Sequence, residues 1–228
     1  MRLRKLSTSR LSQALAGSPY YLEPTGPLHW PDVFGNTQPV EVEVGCGKGL
    51  FLTTAATQRP DTNFFGIELS RKYALFAGDR ATRHALNNVR VARADARQVL
   101  ALWMPDASVS AIHVYFPDPW WKRRHQKRRL FTEEFVDHTA RILVRDGELR
   151  VATDVSEYYQ VMRQVVEQHP AFVLRDIPPQ RQPEHDLDYL TNFERKYRQA
   201  GKSIFRATFV CRGAVSNLPM SVKEGPAG

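Results

Sequence analysis

Cysteine is scarce: the chain has 228 residues and two cysteines, Cys46 and Cys211. So few thiols, so far apart, exclude a disulfide framework or a cysteine-based metal cluster and point to a reducing compartment. No run of about 18 apolar residues occurs, which excludes a membrane-spanning helix, and the hydrophobic core of a secretory signal is missing. Internal repeats and low-complexity runs are absent too. Acidic residues are lacking at the start, where the first is Glu23. Arg2, Arg4, Lys5 and Arg10 therefore stand without counter-charge among Ser7, Ser9 and Ser12, a composition that fits a basic arm, a disordered terminus or an organellar transit peptide. Positive charge is in excess: 32 Lys and Arg against 24 Asp and Glu give a net charge of +8. That balance, with a pI near 9.7, suits a polyanionic partner such as nucleic acid. Together these features predict one compact cytoplasmic domain with extensions and no bound metal.

The stretch from Gly17 to Pro39 is rich in Pro and Gly and joins the basic start as a loop-rich lead-in over 1–39; after Gly213 the chain is again polar, a flexible tail over 213–228. Between them short apolar runs alternate with helical periodicity. Val40 to Val44 reads as a strand, Lys48 to Gln58 as a helix that buries Leu50, Phe51 and Ala55 and stops before Pro60, and Asn63 to Leu69 as the next strand. Ser70 is placed to cap a helix with Tyr73, Ala77, Ala81 and Ala85 on its inner face, ending at Asn87 and Asn88. Val89 to Ala94 and Val109 to Phe116 read as strands around a short helical pattern at Val99. Thr132 is placed to cap a helix running to Asp146 and Gly147, with Phe131 and Val136 as a hydrophobic staple, before a strand over Glu148 to Ala152. Val155, Tyr158, Tyr159, Met162, Val165, Val166 and His169 then recur at helical spacing until Pro170. This alternation predicts an α/β fold, a doubly wound and mostly parallel sheet, to which Ile204 to Cys211 adds a late antiparallel edge strand.

In such a sheet ligands bind beyond the carboxyl ends of the strands, and here those ends are acidic. The first turn, Glu43-Val44-Gly45-Cys46-Gly47-Lys48-Gly49, is a Gly-x-Gly-x-Gly that lets backbone approach a ligand with no Cβ in the way. A dinucleotide site wants Gly-x-Gly-x-x-Gly facing a pyrophosphate. Glu43 would repel a pyrophosphate but attract the ammonium of an amino-acid-like cofactor, which favours S-adenosylmethionine over NAD. Glu68, at the end of the second strand, can accept both hydroxyls of a ribose. Asp95, at the end of the third, can accept from an adenine amino group, and Ala96 lets the ring lie close.

The fourth strand runs into Phe116-Pro117-Asp118-Pro119-Trp120-Trp121, two large aromatics beside a carboxylate held between prolines. Fixed φ at both prolines would hold Asp118 near a target base, with an indole free to stack on it. Six positive charges follow within Lys122, Arg123, Arg124, His125, Gln126, Lys127, Arg128 and Arg129, a run suited to a phosphate backbone. Asp154 follows the fifth strand, where a helix N-cap and a substrate contact are both open readings. Late in the chain Thr191, Asn192, Phe193 and Glu194 gather a hydroxyl, an amide and a carboxylate at the start of a charged helix-like stretch; by themselves Thr191 and Glu194 read as a capping box.

Taken together, the motifs at 43–49, Gly-Ile-Glu at 66–68, Phe-Pro-Asp-Pro-Trp-Trp-Lys at 116–122, Ala-Thr-Asp at 152–154 and Thr-Asn-Phe-Glu at 191–194 resemble the bacterial tRNA (guanine-N7-)-methyltransferase family in order and spacing. The resemblance covers roughly 40–212. It implies a class I S-adenosylmethionine-dependent methyltransferase domain there, acting on N7 of guanine 46 in the tRNA variable loop. It also implies Glu43, Gly45, Gly47, Gly49, Glu68, Asp95 and Asp118 on the cofactor side, with Asp118 at the reaction. Lys122, Asp154 and Thr191 to Glu194 fall on the substrate side, and Arg124, His125, Gln126, Lys127, Arg128 and Arg129 contact RNA. Asp95 stands where relatives often have Asn. From the residues alone two other functions stay open: an RNA methyltransferase acting on an exocyclic amine, favoured by the Asp-Pro-x-Trp loop, and a non-catalytic RNA-binding protein on a cofactor-type fold. Oligomeric state is not fixed by any of these features.

Overall fold

A computed structural model describes residues 8–121, 123–175, 201 and 203–213. In chain order the elements are α1 Thr8–Ala14, β1 Tyr21–Leu22, α2 Trp30–Phe34, β2 Val40–Val44, α3 Leu50–Gln58, β3 Asn63–Glu68, α4 Arg71–Arg83, β4 Val89–Arg93 and α5 Ala96–Gln98, which runs on as a π-helical turn to Trp103. There follow β5 Val109–Tyr115, a 3₁₀ turn over Arg123–Arg128, α6 Glu133–Ile142, β6 Leu143–Thr153, α7 Ser156–Glu167, β7 Phe172–Arg175 and β8 Phe205–Cys211. The strands form one sheet in the order β1-β4-β3-β2-β5-β6-β8-β7, parallel except for β8, which runs antiparallel to both β6 and β7. The order reverses between β2 and β5. This is the switch point at which doubly wound sheets bind ligands.

The central strands are buried on both faces because helices cover both. One face carries Val40, Val42, Val44, Ile112, Val114, Leu149 and Phe209 against α2, α6 and α7; the other packs Phe51, Leu52, Ala55 and Phe64 with Ala74, Ala77 and Ala81 of α4. Phe131 and Val136 both enter the first core, and the Thr132 hydroxyl accepts from Phe135 N at 3.2 Å, so α6 starts as its cap predicts. Ser70 precedes α4 but makes no capping bond with its side chain.

Several boundaries differ from expectation. The buried stripe of α4 is Ala74, Leu75, Ala77, Gly78 and Ala81; Tyr73 is 43% exposed, with the Lys48 ammonium over its ring. α4 ends at Arg83, and Ala85 sits in left-handed backbone. α6 stops at Ile142 rather than at Asp146-Gly147, because Leu143 already pairs with Val109 of β5; Asp146 and Gly147 lie in the register shift of a long β6. β8 is antiparallel as expected, but β7 takes the edge outside it. The lead-in is also more ordered than its composition suggests. β1 extends the sheet, and Leu11 and Leu15 pack on Leu75 and Phe76 while Arg71 donates to the Ser12 hydroxyl. Arg2, Arg4, Lys5 and Ser7, and all of the tail past Gly213, lie outside the described residues. No helix among those described is long and apolar enough to cross a membrane.

Gly49, the N-cap of α3, packs against α4: it has φ +70°, and a Cβ there would lie 2.9 Å from Ala77 Cβ and 3.2 Å from its Cα. Two costs therefore add in Gly49→Ala: left-handed backbone, and overpacking against a helix backbone that cannot swing aside. Urea denaturation should show a loss of about 2 to 4 kcal/mol with an unchanged m-value.

Candidate active site

At the switch point the β2–α3 turn folds with Gly45, Gly47 and Gly49 all at positive φ. The three do different work. Gly49 lets α4 approach, whereas a Cβ on Gly45 or Gly47 would meet nothing within 4 Å, so their bare backbone faces open space. Gly45 N and Cys46 N donate to Ile67 O at 2.8 and 3.1 Å, and Gly47 N donates to Glu68 Oε2 at 2.9 Å. The other oxygen of Glu68 accepts from Ser70 N at 2.7 Å. One carboxylate thus ties the glycine loop to the start of α4.

Glu43 is buried, and its Oε2 has no hydrogen-bond partner. Loss of water, and then the nearby Glu68 carboxylate, push its pKa up to about 8. Cys46 beside it is also buried; desolvation, reinforced by Glu43 and Glu68, pushes its thiol well above the ordinary range.

A cavity of about 540 Å³ opens over this loop, lined among others by Gly45, Glu68, Leu69, Asp95, Asp118 and Trp120. The volume falls in the usual range for small-molecule sites. Asp95 caps α5 through Arg97 N at 3.0 Å and holds the Arg97 guanidinium with both oxygens, and that hydrogen bonding keeps its pKa low. Asp118 is exposed on the loop after β5, between Phe116 and Trp120, both in left-handed backbone at φ 54° and 44°. Non-glycine residues rarely adopt that region, and such strain concentrates at functional loops.

The aromatic and basic stretch folds back on itself. Trp120 stacks on His125 at 5.5 Å with the rings 10° from parallel, and the Arg128 guanidinium sits over it at 5.1 Å. That indole face is therefore taken, while Trp121 is 49% exposed and meets Tyr158 edge-on. Arg129 points inward, donating to Pro119 O at 2.9 Å and lying over Trp121, so it braces the loop. Arg124, Lys127 and Arg128 are exposed. Lys122, the Gln126 side chain, and Thr191, Asn192, Phe193 and Glu194 lie outside the described residues. Asp154 directly follows β6, but the N-cap of α7 is Val155, one residue further on, with no side-chain capping bond.

A buried polar chain beneath the site was not foreseen. The Arg59 guanidinium donates to both oxygens of Glu41, His113 Nε2 lies 2.9 Å from Glu41 Oε2, and His113 Nδ1 lies 2.8 Å from the Tyr115 hydroxyl. Burial pushes Glu41 up, but hydrogen bonds from His113 and Arg59 outweigh it and hold the carboxyl at about 2; burial lowers His113 despite that carboxylate. A neutral imidazole with its proton on Nε2 satisfies both contacts. The clue in the sequence is the alternation Val-Glu-Val-Glu-Val, whose polar face must find partners once it is buried.

The fold and site can be set beside known proteins. Residues 37–207 match the family model described as "Putative methyltransferase". A tRNA (guanine-N(7)-)-methyltransferase from Rhodopirellula baltica is 39% identical over 183 residues, 78% of this chain and 68% of that one. One from Geobacillus kaustophilus is 35% identical over 214 residues, 92% of this chain and 97% of the relative. Among solved structures, the 16S rRNA methyltransferase KamB superposes with a TM-score of 0.60 at 16% identity, covering 80% of this chain and 92% of KamB. A SAM-dependent methyltransferase from Aquifex aeolicus superposes at 0.53 with 12% identity, covering 91% and 100%. These two likenesses concern the fold alone.

Glu43 gives the site a pH signature. Its folded pKa, about 8, is raised, so the stability it contributes is complete below the ordinary carboxylate range and is lost as the pH rises through 8. Between pH 6.5 and 8 the chain should lose up to about 1.4 kcal/mol per pH unit. Glu43→Gln should remove most of that slope in denaturation curves recorded across this window, and a slope unchanged in the variant would mean that Glu43 is ionised when folded.

Proposed function

Since the chain belongs to the tRNA (guanine-N(7)-)-methyltransferase family of S-adenosylmethionine-dependent enzymes, we propose that it methylates guanine 46 in the variable loop, using the carboxyl edge of β2, β3, β4 and β5. The observation that carries this reading is one cavity shared by the open glycine loop, Glu68, Asp95 and Asp118, with the unpartnered Glu43 beside it. The donor set fits the cofactor. An ammonium group seated beside Glu43 would favour its ionised form and so draw out its counter-charge, and Glu68 and Asp95 each keep lone pairs beyond those engaged by Gly47, Ser70 and Arg97. The cofactor brings an electrophilic sulfonium methyl.

Guanine N7 carries a lone pair and no proton, so no residue has to act as a base to create the nucleophile; orientation dominates. Asp118, fixed between prolines on a strained loop, orients the purine against the cofactor, and its charge favours the cationic product. Asp154, Lys122 and Thr191 to Glu194 hold the guanine edge and reject adenine, which lacks the N1-H and amino donors. Outward Arg124, Lys127 and Arg128 take RNA phosphates. On this reading 40–212 is the catalytic unit, the enzyme works in the cytoplasm, and it needs no metal.

The product decides between this reading and methylation of an exocyclic amine. 7-Methylguanine makes its ring labile, so tRNA methylated by this chain should break at position 46 after borohydride and aniline treatment. Methyl incorporation without cleavage would favour the amine reading, and no binding of S-adenosylmethionine would favour an RNA-binding role. Asp154→Ala should lower kcat/KM at least about tenfold, equal to 1.4 kcal/mol, while S-adenosylmethionine binding persists. Replacing Arg124 and Lys127 together should flatten the log K against log salt slope for tRNA by about 1 to 2, with cofactor affinity unchanged.

A further inference from the structure

Two indoles leave the reaction loop side by side, and they are engaged differently. Trp120 is stacked on His125 and carries the Arg128 guanidinium. Trp121 is braced from one side. The Arg129 guanidinium lies over its ring at 5.4 Å from the centre and over that of Tyr158 at 5.9 Å, and the two ring centres are 6.2 Å apart. Those three separations form a nearly equilateral triangle. Seen from the indole, Tyr158 therefore lies toward the side that Arg129 covers. Trp121 is nevertheless 49% exposed, and the exposed area belongs to the opposite face and its rim.

The same contacts fix where that face stands. Arg129 also donates to Pro119 O at 2.9 Å, so one guanidinium spans the backbone beside Asp118 and the ring of Trp121. Tyr158, fully buried on α7, backs the pair. Burial pushes its hydroxyl up and the Asp118 charge adds to the rise, which places that carboxylate near the same ring. β5 and β6 are parallel neighbours, so the loop after β5 and Asp154 after β6 reach the same edge of the sheet. Trp121 thus stands on the α7 side of the loop, while Trp120 lines the cofactor cavity. A rigid aromatic surface placed in advance takes up a flat ring at little cost in lost side-chain freedom.

We infer that the outer face of Trp121 stacks on the target guanine, holding the plane of the purine while Asp118 sets its edge toward the methyl donor. An enzyme that works on a base takes it out of its stack, and the base then lacks the neighbours that covered its faces. The indole replaces one of them. Stacking engages only the π face, so N7 and the hydrogen-bonding edge stay free for the acceptor and donor groups around them. Positive charge that develops on the purine as N7 is alkylated also meets the negative face of an aromatic ring. Every base has a π face, so the stack selects none; selection stays with the groups at the edge. The inference rests on the reading that guanine 46 of tRNA is the substrate.

The test uses the full chain, with product, tRNA affinity and S-adenosylmethionine affinity measured separately. Trp121→Leu keeps an apolar side chain against Arg129 and Tyr158 but has no π face. It should raise Kd for unmodified tRNA about tenfold, with cofactor affinity and the log K against log salt slope unchanged, since no phosphate contact is lost. Trp121→Phe should restore most of the affinity, whereas a side chain needed only for packing would leave Leu and Phe alike. On a tRNA that lacks the base at position 46, wild type and Trp121→Leu should bind equally, a double-mutant cycle that ties the indole to that base. Trp121→Gln carries the same comparisons if Trp121→Leu does not fold. Wild-type affinity in the Leu variant, an equal loss in Leu and Phe, or a loss that persists on the abasic tRNA would overturn the stack. A wild-type chain that forms no 7-methylguanine would overturn the activity reading instead; the cycle measures binding alone, and so still decides whether base 46 lies on Trp121.

Discussion

The carboxylate of Glu68 holds two pieces of backbone at once, Gly47 N with one oxygen and Ser70 N with the other. Those amides belong to the loop after β2 and to the entry of α4, so a single side chain sets how two strand ends open toward the ligand. Gly49 closes the same arrangement from behind, because only a residue without Cβ lets Ala77 come so near. The glycine loop can then present bare backbone at Gly45 and Gly47. That clamp fixes the wall of the cavity where Gly45, Glu68 and Leu69 line it.

Charge is sorted by location in a chain that is basic as a whole. The carboxyl edge of the parallel strands gathers Glu43, Glu68, Asp95 and Asp118, which suits a cationic cofactor and a product that gains positive charge. Arginines lie outside this edge and beside it. Some of them are internal braces: Arg97 locks Asp95, and Arg129 holds Pro119 O and covers Trp121. A basic run in sequence therefore divides into side chains that support the loop and side chains that face solvent, and counting charges does not separate the two.

The central strands were legible because burial on both faces leaves continuous apolar runs, and their carboxyl ends then pointed to Glu43, Glu68, Asp95 and Asp118. Edge strands were not. Tyr21–Leu22 and Phe172–Arg175 are short and half exposed, and they exist because a neighbour offers unpaired backbone. The end of α6 was not legible because Leu143 leaves the helix to pair with β5, a tertiary event with no local cap to announce it. At the site, residue types were legible but their partners were not. Nothing local indicates that Asp95 is engaged by Arg97, that Trp120 is covered by His125, or that Glu41 and His113 neutralise one another's burial across two strands.

Cys46 lies within the glycine loop, close to a pocket that takes an alkylating cofactor, with its side chain packed in the core beside Phe51 and Leu52. A thiolate there would be the strongest nucleophile within reach, and the enzyme would risk methylating itself. Burial, with Glu43 and Glu68 close by, pushes the thiol well above its usual pKa, so the sulfur stays protonated and inert. Gly66 packs so tightly on it that a Cβ there would come within 2.9 Å of Sγ. The carboxylates we propose for the methyl donor thus also keep the protein's own sulfur unreactive toward it.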